Sequence, residues 1–450
     1  MGKGKSKREE HSHVKSNFFE GNASGVYVEV RDKLVVGKDI FNVECTTDWP
    51  STELHMNHVK GSLTIRPEVT EEQILEQMDY WRDRIKNNIL NMNDLTADVL
   101  DIITCEWLKR AQHHESMITI AADDFLAYRA LQPKMGGRGK GGYHIQQKKK
   151  IAEQIEVLRH TWINILEMLV PVVDENGVRK LQKVKAKGPA IMVSLEMSKV
   201  DEKGGETPFI WKVRPGDVFA PFLMNTVARQ TALISIKALQ YSPYHHAYEK
   251  RLTRYLAWQW RIRQGKEKYM ESFRVKTLLE RIHLEIDKIR PTQTKEKFEK
   301  VLDRLEKDKV IAQWRYHPDD FNEEVLNRRG WYTEQNPNNW PFWRVIIEPP
   351  SVIIDYYREN ILTLPEKERR ILPDPRPVVS DSDSDDIGKR LFEIRQILGM
   401  SLQDVAEAIT KATGRKISKV TLSRIENGLV KPRTQNKAAL LEWLNQISPK

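Results

Sequence analysis

The sequence predicts a multidomain α+β protein, and three observations carry that reading. At 450 residues the chain is long enough for two to four domains, with three at the centre of that range. An order of three helical stretches closed by two β-like runs occurs twice, at roughly 66–240 and 241–350. The last 64 residues, 387–450, hold helical periodicity alone and are set apart by a proline- and aspartate-rich stretch.

Composition narrows the class. Lys and Arg number 73 against 63 Asp and Glu, a formal charge of +10, and the isoelectric point is near 9.2. An anionic partner is expected, but +10 over this length is mild, so where the excess sits decides its meaning. Two cysteines, Cys45 and Cys105, exclude a disulfide framework and a Cys-rich zinc module and fit a reducing compartment. No run of apolar residues is long enough to span a membrane, and the polar start lacks the apolar core of a signal peptide. The expected location is cytoplasmic and nucleoid-associated, with no membrane partner.

Residues 1–25 are charged and aperiodic and read as a disordered basic tail. From Val26 to Ile65 short β-rich runs appear: VYVEV, KLVVG and HVKGSLTIR. A helix is predicted from Glu71 to about Asn88, with Ile74, Leu75, Met78 and Trp81 at helical spacing. A second runs from about Thr96 to Gln112, with Val99, Leu100, Ile103, Trp107 and Leu108 on one face. In ITIAADDFLAYRAL, Asp123 or Asp124 can cap a short helix carrying Phe125, Leu126 and Tyr128. The loop PKMGGRGKGGYH, with five glycines, leads into a long helix from about Gln146 to Leu169. The runs AIMVSLEMSKV and PFIWKVRPGDVF close the unit around the turn-rich DEKGGET.

The order then recurs: helices from Pro243 to about Lys266, Val275 to Ile286 and Pro291 to about Lys309, then the strands VIAQWRY and PFWRVIIEPP around TEQNPNNW. Three helices and a β-ribbon make the winged-helix order. The predicted architecture is therefore two winged-helix units followed by an all-α domain. The β-rich start plus unit 1 covers 26–240, unit 2 covers 241–361, a Pro/Ser/Asp linker covers 362–386, and the last domain covers 387–450.

In that last domain, Leu391, Ile394 and Leu398 define the buried stripe of a first helix ended by Gly399. Ser401 caps a second helix, Leu402–Thr410, with Val405, Ala406 and Ile409 inward. Ser418 caps a third, with Leu422 and Ile425 inward and Gly428 at its end; Leu440, Leu441 and Trp443 supply a closing helix. On GMSLQDVAEA, SKVTLSRIENG and the following KPR, the domain resembles the lambda-repressor/Cro-type helix-turn-helix family over nearly all its length. The connection TKATGRKI between the second and third helices is longer than that family's usual turn. A recognition helix enters the major groove with its N-terminal side chains toward base edges. Here that end carries Lys419, suited to guanine O6 or N7, and Val420 and Thr421, suited to a thymine methyl. The resemblance implies that Gln403 meets the DNA backbone and that Asn427 contacts a phosphate. Arg424 and Lys431 are candidates for further phosphate contacts. Twelve basic residues against five acidic give the domain a net +7.

The loop and helix start at 134–150 hold Lys134, Arg138, Lys140, Lys148, Lys149 and Lys150 with no acidic residue. Glycines let backbone approach phosphates while Lys and Arg neutralise them. The position, just before a third helix, is where a winged helix meets DNA, and Tyr143 and His144 are candidate groove contacts. RNA contact and a basic loop without a fixed partner are the competing readings. A nucleotide-phosphate loop is excluded because Gly139-Lys140 is followed by Gly141 rather than Ser or Thr.

In the second unit, 243–268 carries a net +5 with Tyr244, Tyr248, Tyr255, Trp258 and Trp260 interleaved; most of those aromatics read as packing surface. Its third helix begins with Thr292, Gln293, Thr294, Lys295 and Lys297, where base contact would occur, with Lys295 the chosen DNA-contact candidate. The same helix carries Glu296, Glu299, Asp303 and Glu306, which would repel phosphate from a groove-facing side. A dimer or partner surface is the rival reading for this unit.

Tandem winged-helix units resemble plasmid replication initiators that bind repeated origin sequences. The likeness lies in element order and in ITIAADDFLAYRAL…GGRGKGGYHIQQ before a long helix. It implies double-stranded DNA as partner, with host replication proteins and a homodimer as further expectations. A transcriptional regulator of the helix-turn-helix class and an assembly protein with winged-helix protein contacts are the alternatives. Catalysis is not expected. His245-His246 with Tyr248 suggests a nuclease, but adjacent helical residues point about 100° apart, poorly placed for one metal. His11, His13, His55, His58, His113 and His114 show no zinc spacing with the cysteines. No cofactor or metal is expected.

Overall fold

The computed structural model describes residues 17–41, 49–56, 59–134, 142–173, 179–200, 206–220, 223, 230–264, 268–363, 387–398, 400–426, 432 and 434–447. Their contacts form two units: residues up to 168 with 185–261 and 270–353, and 169–184 with 262–269 and 354 onward.

Both winged-helix orders lie in the first unit. It opens with β1 (Phe18–Asn22), α1 (Gly25–Val35), α2 (Gly37–Ile40), β2 (Ser51–Met56), β3 (Val59–Ile65), α3 (Glu71–Glu76) and α4 (Met78–Asn91). The first winged-helix order follows as α5 (Asp94–Arg110), β4 (Ile118–Ala121), α6 (Ala122–Tyr128) and α7 (Ile145–His160). Next come β5 (Thr161–Val173), β6 (Arg179–Pro189), β7 (Ile191–Val200), β8 (Glu206–Pro215), β9 (Thr231–Ser235) and α8 (Lys237–Gln240). The second order is α9 (Ala247–Arg263), β10 (Phe273–Arg274), α10 (Val275–Ile282), α11 (Pro291–Lys307), β11 (Gln313–Tyr316), α12 (Glu323–Leu326), β12 (Arg344–Glu348) and α13 (Ser351–Thr363). The sheets β4-β8-β7 and β10-β12-β11 have the same order, with the last strand central and antiparallel to both neighbours. A short strand between the first two helices thus completes each ribbon, an element too short to show in the sequence.

Several expectations need correction. The tail ends at residue 16 at the latest, because Phe18–Asn22 pairs antiparallel with Thr231–Ser235; residues 1–16 lie outside the described set. The runs VYVEV and KLVVG are helical, not extended. Ser24 caps α1, its Oγ accepting from the Tyr27 amide at 3.3 Å, and Val26, Tyr27, Val28, Val30, Leu34 and Val35 are buried. A β-branched run favours a strand intrinsically, but burial on nearly all sides of a helix outweighs a propensity of under about 1 kcal/mol per residue. The helix at 71–88 is broken at Gln77, whose φ of −134° leaves the helical region. The long helix predicted to Leu169 stops at His160, and TWINILEM continues as a strand pairing with β3. Ile163 and Ile165 are buried while Trp162 and Asn164 are only half-buried, the period of two that the helical reading passed over. The hairpin strands β5 and β6 belong to the sheet β2-β3-β5-β6 and are inserted between the third helix and the ribbon of unit 1.

At the centre of this unit α5 is buried from Asp94 to Trp107. Asn93 caps it, accepting from the Leu95 amide at 2.8 Å, with the Asn93 amide returning to Thr96 Oγ1 at 3.1 Å. The spacing of Asp94, Asp98 and Asp101 sets three carboxylates on one helix face, and α9 answers them with cations. Arg254 reaches Asp98 at 2.5 Å and Asp101 at 2.7 Å, Lys250 lies 3.0 Å from Asp98, and Arg251 grips Asp94 with two nitrogens at 2.8 and 3.2 Å. Arg31 and the Tyr27 hydroxyl complete the Asp101 site. The Lys250 ammonium also donates to the carbonyls of Leu239 at 3.2 Å and Tyr241 at 2.8 Å. Burial pushes the Lys250 ammonium down to about 8, with the Asp98 carboxylate working against that shift. Burial alone would raise Asp101; Arg254, Arg31 and Tyr27 outweigh it and hold that carboxyl below its ordinary range. The +5 of segment 243–268 is therefore spent in large part inside the protein, not on its surface.

The second unit contains α14 (Ile387–Leu398), α15 (Leu402–Thr413), α16 (Lys419–Glu426) and α17 (Thr434–Ile447) around one core of Leu391, Ile394, Val405, Ile409, Leu422 and Trp443. The long connection is shorter than its sequence suggested. α15 runs on to Thr413, and Gly414, at φ 69°, ends it in a left-handed cap. The linker predicted at 362–386 begins inside α13, which runs to Thr363; residues 364–386, Gly399 and Gly428 lie outside the described residues.

Removing one partner of the buried cluster leaves unpaired charge in a dry site. Asp98→Ala is expected to lower the unfolding free energy by about 3–5 kcal/mol, read from urea denaturation of the full chain. A decrease below about 1 kcal/mol would show that α5 and α9 are held by apolar packing alone.

Candidate nucleic-acid interface

The third helix of the first winged-helix unit starts from a well-defined cap. His144 Nδ1 accepts from the Gln146 amide and Gln147 Oε1 accepts from the His144 amide, both at 3.1 Å. The Lys134 amide donates to the Gly142 carbonyl at 3.2 Å, closing the base of the glycine-rich loop directly before that cap. Arg138 and Lys140 lie outside the described residues, and Tyr143 is half-buried. Along α7, Ile151, Ile155 and Leu158 are buried, whereas Gln146, Lys149, Lys150 and Glu153 are exposed at intervals of one, three or four residues. They share one outward face.

The expected six unmatched cations are not all unmatched. Lys148 Nζ sits 2.6 Å from Asp123 Oδ1 at the start of α6. That divides the two aspartates: Asp123 binds Lys148, and Asp124 Oδ2 caps α6 by accepting from the Ala121 amide at 2.8 Å. Lys148 thus ties the second helix of the unit to the third, and Lys149 and Lys150 remain as its exposed cations. At the other end of α7, His160 is 3% exposed, its Nδ1 2.8 Å from Asn88 Nδ2. Burial lowers its pKa to about 4 even though Glu156 is near.

In the second winged-helix unit the corresponding helix differs. Lys295 Nζ lies 2.7 Å from Glu299 and 5.9 Å from the centre of the Tyr316 ring, and Glu299 also accepts from the Tyr316 hydroxyl. Lys297 lies 4.5 Å from the Tyr248 ring centre. Thr294 is buried, and Glu296, Asp303 and Glu306 are exposed. The outward face of α11 is mixed in sign, and its candidate, Lys295, is engaged within the unit.

In the C-terminal unit, Ser401 caps α15 through Asp404, and Gln403 is exposed with its amide 3.0 Å from Glu407. Ser418 Oγ accepts from the Thr421 amide at 3.2 Å, so Ser418 caps α16. The first residues of that helix, Lys419 and Val420, are exposed, and Val420 is 55% exposed despite its apolar side chain; Thr421 is half-buried. Arg424 falls on α16, its side chain outside the described set, as are Asn427 and Lys431. Arg395 pairs with Glu426 at 2.6 Å and donates to the Met400 carbonyl, joining α14, the cap of α15 and the end of α16. The sequence reading missed Arg395–Glu426, Lys148–Asp123 and the α5–α9 cluster. Each is a pairing of residues far apart in sequence, and only the i, i+4, i+7 spacing of Asp94, Asp98 and Asp101 marked one of them beforehand.

No family model matches the chain, and no curated protein matches it. Among solved structures, a selenomethionine form of domains 2 and 3 of RctB aligns with a TM-score of 0.33 at 12% identity, over 62% of this chain and 86% of that one. A second structure of RctB domains 2–3 aligns with a TM-score of 0.32 at 11% identity, over 60% and 83%. Overlap at that level assigns neither fold nor function. Among the described residues, no group of three or more His, Cys, Asp or Glu is placed to hold a metal ion, and no helix is long and apolar enough to cross a membrane.

Because the folded state keeps His160 neutral and the unfolded state titrates near 6.5, the unfolded chain binds more protons between those values. The stability this histidine contributes is complete above pH 6.5 and is lost as the pH falls toward 4. About 3 kcal/mol is at stake. Urea midpoints across that window should fall more steeply for the native chain than for His160→Gln; parallel curves would contradict the assignment.

Proposed function

We propose that this chain is a sequence-specific double-stranded DNA-binding protein with two reading heads, α7 of the first winged-helix unit and α16 of the C-terminal unit. The observation that carries the reading is the outward face of α7: Gln146, Lys149 and Lys150 are exposed, rooted on a buried apolar face, beside a glycine-rich loop. Lysines there neutralise phosphates and a glutamine can reach a base edge. The exposed Lys419 and Val420 at the start of a Ser418-capped helix offer the second head a cation and an apolar contact for a thymine methyl. The biological role is initiation of replication at repeated origin sites of a plasmid or mobile element. Its partners are DNA, host replication proteins and a second copy of the chain. No catalytic step is part of this proposal.

A second reading applies to the second winged-helix unit. The Lys295–Glu299 pairing and the exposed Glu296, Asp303 and Glu306 favour a protein-contact role for α11 over DNA contact.

Selection of bound DNA from a random pool, with the full chain and with residues 1–380, tests the two heads. A bipartite site that loses one half on truncation supports them; an unchanged site removes the C-terminal head. For α7, Lys149→Ala with Lys150→Ala should weaken binding at least tenfold at moderate salt. The slope of log affinity against log salt should fall by about 2, near one for each phosphate that no longer meets a lysine. An unchanged slope would remove α7 from the interface.

A further inference from the structure

Tyr244 is 66% exposed, the most of any described tyrosine, phenylalanine or tryptophan. It projects from a turn that the surrounding structure holds tightly. Ser242 Oγ accepts from the amides of Tyr244 and His245, both at 3.3 Å, and the Ser242 carbonyl accepts from the His246 amide at 2.9 Å. Pro243 is buried. Tyr241 is buried, donates through its hydroxyl to Asp308 at 2.9 Å, and gives its carbonyl to the Lys250 ammonium. The turn that bears the exposed ring is therefore anchored by buried groups on its N-terminal side and by the Ser242 hydrogen bonds.

Its neighbour gives it meaning. Lys150 Nζ lies 5.6 Å from the Tyr244 ring centre. Residues 94 positions apart in sequence thus form one patch, in which the outward face of α7 supplies cations and the segment before α9 supplies an aromatic ring. An aromatic ring carried on a hydrogen-bonded turn, with a cation near it and its surface open to solvent, is the arrangement that receives a nucleobase whose own stacking partner has been removed. A paired duplex base offers only its edge to a protein and leaves no π-face for a ring.

We propose that Tyr244 stacks on an unpaired nucleobase in DNA held by α7, with Lys150 on the adjoining phosphate. This rests on the reading of α7 as a DNA contact. It adds that the patch distinguishes distorted or opened DNA from intact duplex.

The test uses the full chain and two probes: a duplex with 2-aminopurine in an unpaired bulge, and the same duplex fully paired. The native chain and Tyr244→Phe should quench the bulged probe, because the phenyl ring stacks without the hydroxyl. Tyr244→Ala should lose the quench and bind the bulged probe roughly tenfold more weakly, within the range of one base–aromatic stack. Its affinity for the paired duplex should stay within about twofold of native. Equal quench and equal affinity for Tyr244→Ala and the native chain would overturn the proposal. Native-like binding of both probes by the Lys149→Ala, Lys150→Ala chain would overturn the α7 reading instead, so the two ideas fail separately. A Tyr244→Ala chain that weakens on both probes alike also counts against stacking, since it shows no preference for the unpaired base.

Discussion

Three carboxylates on one face of a buried helix cannot remain there unpaired, and that constraint organises the larger unit. Taking ions from water into a protein interior costs several kcal/mol each even after relaxation. Asp94, Asp98 and Asp101 therefore require cations at fixed positions, and Arg251, Lys250 and Arg254 supply them from α9. Since α5 and α9 are the first helices of the two winged-helix units, the ion cluster fixes the two units against each other. Apolar packing can slide by fractions of an ångström at little cost; a bidentate arginine on a carboxylate cannot. The same Lys250 fixes the carbonyls of Leu239 and Tyr241, so the turn bearing Tyr244 inherits its position from the cluster.

The cluster also changes what the charge balance means. A net of +10, read from the sequence, invites counting every basic segment as surface for an anion. Segment 243–268 buries Lys250, Arg254, Arg261 and Arg263, and Lys148 and Lys295 are held by Asp123 and Glu299. Of the candidate DNA-contact cations of the first winged-helix unit and the C-terminal unit among the described residues, those left exposed are Lys134 before the glycine-rich loop, Lys149 and Lys150 on α7, and Lys419 on α16. Phosphate attraction depends on such unmatched charge, because a lysine already neutralised at under 3 Å releases few counterions on binding.

Much of the architecture was legible in the sequence, because both winged-helix orders and the four C-terminal helices rest on local signals. Ser401 and Ser418 mark helix starts, and the turn residues around 201–207 separate two β-like runs. The failures share a cause. VYVEVRDKLVV looks extended because its β-branched residues favour strands, but in this fold nearly every side of it is buried, and burial suits a helix as well. TWINILEM was joined to the helix before it because no proline or glycine intervenes, and its two-residue period is short. At the candidate interface, capping residues and exposed cations could be read locally. Partners such as Asp123 for Lys148 and Lys150 for Tyr244 depend on tertiary approach, which no local pattern encodes.

The two winged-helix units show how little a shared topology says about chemistry. Their ribbons have the same strand order and their third helices the same place in the chain, yet the outward faces of those helices differ. On α7 the exposed positions from Gln146 to Lys150 carry no acid; Glu153 follows one turn on but forms no ion pair with Lys149 or Lys150, and Asp123 of α6 takes Lys148. On α11 the acids are interleaved with the lysines at helical spacing, so Lys295 finds Glu299 one turn away before any ligand arrives. A cation paired along its own helix must break that pair to meet a phosphate, whereas Lys149 and Lys150 have no such pair along α7 to break. Under the proposed DNA-binding role, the choice between the two units therefore lies in where acids sit along one helix, and it favours the first.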